Sequence, residues 1–181
     1  TMLSSRRIGD NLYIVNGYTA TVEGLNPNAS TDAELLQNYL KILDTPETEL
    51  MPKIYFDDGQ VFALNQPEDC AIPAQATDKD GYSHLLTVIR INLLDLSDYS
   101  ASCISSVAEV MYMSQQNLYL TSSRNNQTII HKVSLDENLT YQASGSVEGI
   151  IGWRSAPNFR LSEYDNHLRI VSSDYTSGEP V

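Results

Sequence analysis

Long apolar runs are missing from this 181-residue chain. No stretch approaches the ~20 residues that a membrane-spanning helix needs. Basic side chains are scarce too: 11 Lys and Arg stand against 23 Asp and Glu, a formal net charge of −12. That field repels a phosphate backbone and argues against nucleic acid as a partner. The adjacent Arg6 and Arg7 read as a solvated strand end. Thr1, Met2 and Leu3 lead straight into a strand pattern, so a signal peptide is not expected within this chain and in a secreted parent is expected upstream. Only two cysteines occur, Cys70 and Cys103. Spacing leaves both a disulfide and a pair of buried thiols open. Neither lies in a motif that would activate it as a nucleophile.

Familiar catalytic and metal motifs are also lacking. His84, His131 and His167 lie far apart, with no HxxxH or CxxC spacing, which excludes the usual zinc patterns. His131 and His167 read as ordinary strand residues. The GSVEG run at 145–149 is not a nucleophile elbow, and no glycine loop suits a phosphate. Glu163 and Asp165 flank a turn and read as solvated turn residues rather than an acid/base pair. For calcium, the DKDG run contributes Asp78 and Asp80, and Asp57 and Asp58 add carboxylates. A full helix–loop–helix calcium motif needs a glutamate at its twelfth position, where Ile89 stands. An acidic polar loop is the plain reading, with a calcium site as the alternative.

What the chain does have is repetition. SSRRIGDNLYIVNG (4–17), VAEVMYMSQQNLYLTSS (107–123) and NFRLSEYDNHLRIVSSD (158–174) each read as an extended arm, a polar turn and an alternating return arm. Leu12, Leu118 and Leu168 align after the turns. Leu118 and Leu168 lie 50 positions apart, and a period near fifty in a β-rich chain is blade spacing for a propeller. TIIHKVSLD (128–136) and LTYQASGSVEG (139–149) supply a third and fourth strand after the second hairpin. LTVIRINLLDL (86–96) and SASCISSV (100–107) do so for the first, sharing the frame of Thr87 with Leu94 and Thr128 with Leu135. Eleven tyrosines suit half-exposed sheets.

The expected fold is therefore mostly β, a partial propeller of four-stranded antiparallel blades with one helical insertion. Blade 1 spans 3–18 plus 85–106, the insertion 19–84, blade 2 107–149 and the opening hairpin of blade 3 156–174. Within the insertion, Thr31 and Glu34 form a capping box ahead of a helix at about 32–44, whose Leu35, Leu36, Tyr39, Leu40 and Leu43 make one apolar stripe. That stripe is expected to pack on a blade face or edge. Residues 53–64 read as an insertion hairpin with a type I′ turn at Asp58-Gly59, and 67–82 as loop. Two blades and a fraction leave raw sheet edges, so the chain is expected to be a fragment of a longer protein.

SSRRIGDNLYIVNGY, NLYLTSS, TIIHKVSLD, YQASGSVEG and FRLSEYDNHLRIVSSD, taken in this order, resemble the family of secreted prokaryotic proteins with a C-terminal β-propeller domain, distantly similar to WD-repeat propellers. The resemblance implies a propeller fold and a secreted or cell-surface location. It carries no catalytic residues onto this chain.

The function expected is a non-enzymatic scaffold or binding module for a protein or carbohydrate partner. Trp153, Tyr164 and Tyr175 are candidate aromatic contacts. A propeller hydrolase or lyase with a calcium-assisted site at Asp57, Asp58, Asp78 and Asp80 is the alternative. Homodimerisation through an exposed blade edge is the third reading.

Overall fold

A computed structural model describes residues 1–72, 84–151 and 157–174. Strands β1 (Met2–Ile8) and β2 (Asn11–Thr19) form the first hairpin. The insertion follows, with helix α1 (Asp32–Asp44), the short hairpin β3 (Lys53–Tyr55) and β4 (Val61–Ala63), and the two-residue strand β5 (Cys70–Ala71). Strands β6 (His84–Asn92) and β7 (Tyr99–Ser105) then complete the first sheet, ordered β1-β2-β6-β7-β5. The second sheet comprises β8 (Val110–Met113), β9 (Asn117–Arg124), β10 (Gln127–Ser134) and β11 (Tyr141–Glu148), in order and antiparallel. A last hairpin joins β12 (Leu161–Tyr164) to β13 (His167–Ile170). This is a mostly β, partial-propeller architecture, in which each large sheet holds a four-stranded antiparallel meander, the first with β5 added in parallel, and the two pack face on face.

Turn chemistry sets the registers. Asn125 and Asn126 both take positive φ (51° and 58°), as do Asp165 and Asn166 (50° and 56°). These are the residue types that tolerate the left-handed region of a two-residue hairpin. The insertion hairpin differs from expectation. Only Gly59 is left-handed there, at φ 84°. Gly59 N donates to Phe56 O and Phe56 N to Gln60 O, which makes a longer turn than the two-residue type I′ form.

The core lies between blades. Tyr13, Val15, Leu86, Val88 and Ile104 of the first sheet meet Met113, Leu118, Leu120 and Val133 of the second. Fully burying such an aliphatic side chain contributes about 1.5–3 kcal/mol. Leu139, in the loop before β11, plugs the same core with a positive φ of 52°. Strand β9 is buried on both faces, so Asn117–Arg124 reads as a near-continuous buried run instead of a clean alternation. A smaller cluster of Val110, Ile151 and Leu161 seats the last hairpin.

Polar ties complete the packing. Arg90, only 7% exposed, donates to Asp98 (2.5 Å), Asn11 (3.0 Å) and, across to the second blade, Glu137 O (3.3 Å). Gly149 sits at φ 86°, where the chain leaving β11 passes Ser172 and Ser173. Ile150 and Ser173 exchange backbone hydrogen bonds at 2.9 and 3.0 Å.

The segment 67–82, expected to be loop, contributes a strand within its described part. Cys70 and Ala71 run parallel to β7, and a disulfide joins Cys70 to Cys103 beside that pairing. Two residues are too short to leave a periodic signal in sequence, and the pairing depends on a residue 33 positions away.

Candidate functional site

The helix begins as its sequence dictates. Thr31 Oγ1 accepts from Glu34 N, and Glu34 Oε2 accepts from the backbone N–H of Ser30 and Thr31. Those bonds, Ser30's foremost, hold the Glu34 carboxyl below its usual range. At the other end Thr45 Oγ1 donates to Lys41 O.

The expected orientation of this helix is overturned. No residue of α1 is buried, and its apolar stripe packs on no blade face or edge. Leu36, Tyr39 and Leu43 are 56, 57 and 60% exposed. The polar side is the one tied down: Asn38 bonds Asn26, and Lys41 Nζ donates to Gly24 O. Amphipathic helices on globular domains ordinarily do the reverse. The local cause is that residues 24–26 supply backbone donors and acceptors which the polar face can satisfy, as every backbone group must be.

Inside this helix lies a cleft of about 800 Å3 between the insertion and the first blade. Asn16, Tyr18 and Thr87 line it from the blade, Lys41, Asp44 and Thr45 from the helix, and Lys53 and Tyr55 from β3. Thr87 is 1% exposed and its hydroxyl has no partner. Its counterpart in the second blade, Thr128, donates to Gly149 O at 2.7 Å. The repeat thus closes with a hydrogen bond in one blade and opens onto a polar cleft in the other. Cleft residues carried no sequence signal beyond the break in the repeat after Thr19.

The sequence-predicted residues do not gather in one place. Tyr164 is exposed, with the Arg169 guanidinium 4.4 Å from its ring centroid. Trp153 and Tyr175 lie outside the described residues, as do Asp78 and Asp80. Asp57 and Asp58 sit in the exposed β3–β4 turn, where Asp58 accepts from both the backbone and side-chain nitrogens of Gln60. Among the described residues no cluster of His, Cys, Asp or Glu is arranged to hold a metal ion.

Two titratable residues read differently in three dimensions. Glu163, expected to be a solvated turn residue, turns its carboxylate onto Asn117 Nδ2 at 2.9 Å and leaves Oε2 buried without a partner. It faces the second sheet because alternation along β12 points it there. Burial, and then Glu163 beside it, push the Tyr119 phenol up to about 12. His131, expected to be an ordinary strand residue, is fully buried between Ser106 Oγ (3.0 Å) and Tyr141 OH (3.3 Å), and burial pushes its pKa down.

The family model described as beta propeller domain matches residues 1–180. The chain belongs to that family. Membership of the propeller family supports, at a coarse level, a binding or scaffold module. No curated protein and no solved structure compared with this propeller chain matches it. No helix among the described residues is long and apolar enough to cross a membrane.

Proposed function

We propose that this chain is a non-enzymatic binding module of a secreted or surface protein, and that the insertion between β2 and β6 is its recognition element. One observation carries the reading: α1 is fastened by its polar face and offers its apolar face to solvent. Contiguous apolar surface kept exposed on a folded domain marks an interaction site. Long insertions on a rigid repeat scaffold are where recognition concentrates.

The test is to replace residues 28–45 with a Gly-Ser linker of about eight residues, stopping short of the buried Met51. The blades should keep their thermal midpoint to within about 2 °C. A fall of about 8 °C or more, with loss of near-ultraviolet dichroism, would make the helix part of the core and end the reading.

Assembly through an open edge is a second reading. Among the described residues β13 pairs only with β12, and such an edge can accept a strand from another chain. A concentration-independent monomer in gel filtration would count against it.

A further inference from the structure

We infer that the outward stripe of α1 docks a basic amphipathic helix of another protein, an inference that rests on the insertion being the recognition element. Leu36, Tyr39, Leu40 and Leu43 stand at i, i+3, i+4 and i+7, the anchor spacing by which one helix lies against another. All four are at least 49% exposed. The 13-residue helix is ~20 Å long, which accommodates about four turns of a partner.

Charge selects the partner's polarity. The segment from Thr31 to Leu50 carries Asp32, Glu34, Asp44, Glu47 and Glu49 against the single Lys41. Lys41 is turned inward onto Gly24 O, and Asp44 and Glu49 line the cleft beside it. Glu34 is held by the Ser30 and Thr31 N–H groups. The charge on the stripe's own side is therefore that of Asp32, one turn before Leu36. A helix with leucine-like residues on one face and Lys or Arg beside them would bury the stripe and meet Asp32 and the acidic field of the chain with opposite charge. A second copy of this chain fits poorly. Pairing two stripes would bring together two chains of net charge −12 each, with Asp32 beside both stripes. An anionic membrane surface is repelled by the same field.

The full chain should be titrated, by fluorescence anisotropy, with a labelled synthetic helix of about 18 residues bearing leucines on one face and lysines on the other. Saturable binding is expected. Leu36→Gln with Leu40→Gln should weaken it about tenfold or more while leaving charge unchanged and helicity nearly so, since Gln and Leu have similar helix propensity. A peptide of the same composition with its leucines scrambled should not distinguish the parent from the double variant.

Equal affinity for parent and double variant would reduce the attraction to net charge and overturn the proposal. So would an absence of saturable binding, or tighter binding of the matching leucine–glutamate helix. A dimer of the parent that the double variant dissolves would assign the stripe to a second copy instead. If replacing residues 28–45 unfolds the blades, the recognition reading falls and takes this inference with it. If that variant folds but binds the peptide as well as the parent does, only the docking inference falls.

Discussion

Asn26 and Asn38 hold each other reciprocally. The Asn26 backbone N–H donates to Asn38 Oδ1 at 2.9 Å, and Asn38 Nδ2 donates back to Asn26 O at 2.8 Å. With Lys41 on Gly24 O, this pair decides which side of α1 faces the protein. Asn38→Ala removes both bonds, roughly 1 kcal/mol of local stability at such an exposed site. Hydrogen exchange across residues 32–44 should quicken while β9 and β10 stay protected. A fall in global stability of similar size would instead mean that the helix and blades unfold as one unit.

Gly149 has both a backbone and a space requirement. At φ 86° a Cβ there would lie 2.9 Å from Ser172 Cβ and from Ser173 O. Gly149→Ala should cost about 2–4 kcal/mol in urea unfolding. Adding Ser172→Gly should recover little, because the Ser173 carbonyl remains in place. A nearly neutral Gly149→Ala would show that the Ile150–Ser173 tie can move aside.

His131 makes stability depend on mild acid. Burial lowers its folded-state pKa below the ordinary 6.5. Between that lowered value and 6.5 the unfolded chain takes up a proton that the folded chain refuses. Stability is therefore full above about pH 6.5 and declines as pH falls toward the folded value. Thermal midpoints measured from pH 7.5 to 5 should drop, and His131→Gln should flatten that part of the curve. An unchanged slope in the variant would place the titrating group elsewhere.

The Cys70–Cys103 disulfide closes a separation of 33 residues that takes in the end of the insertion, β6 and the start of β7. On chain entropy it stabilises by about 3–4 kcal/mol. Cys70→Ala with Cys103→Ala should lower the urea midpoint accordingly and loosen β5 from β7 first. If the oxidised parent and the double variant unfold at the same midpoint, the bond adds nothing to the fold.

Much of the fold was legible because its signals are local. Alternation around Leu12, Leu118 and Leu168 marks strands, and polar pairs such as Asp165-Asn166 mark the turns that join them. Thr31 and Glu34 announce a helix within four residues. The two-residue β5 left no such trace. Glu163 was misread because proximity to a turn says nothing about the sheet that packs against it. For the candidate site, the sequence pointed to the insertion and to the stripe on α1, but it supposed the stripe buried.

By itself, then, the sequence determined the longer strands, the hairpin pairing that joins them and the helix, since each depends on residues a few positions apart. Tertiary structure alone decided three further matters: which face of α1 turns inward, that Cys70 meets Cys103, and that Thr87 opens on a cleft where Thr128 finds Gly149. Each depends on groups brought together from distant or independently folded segments. The energy that chooses among such pairings lies in hydrogen bonds and packing that exist only after the chain has folded.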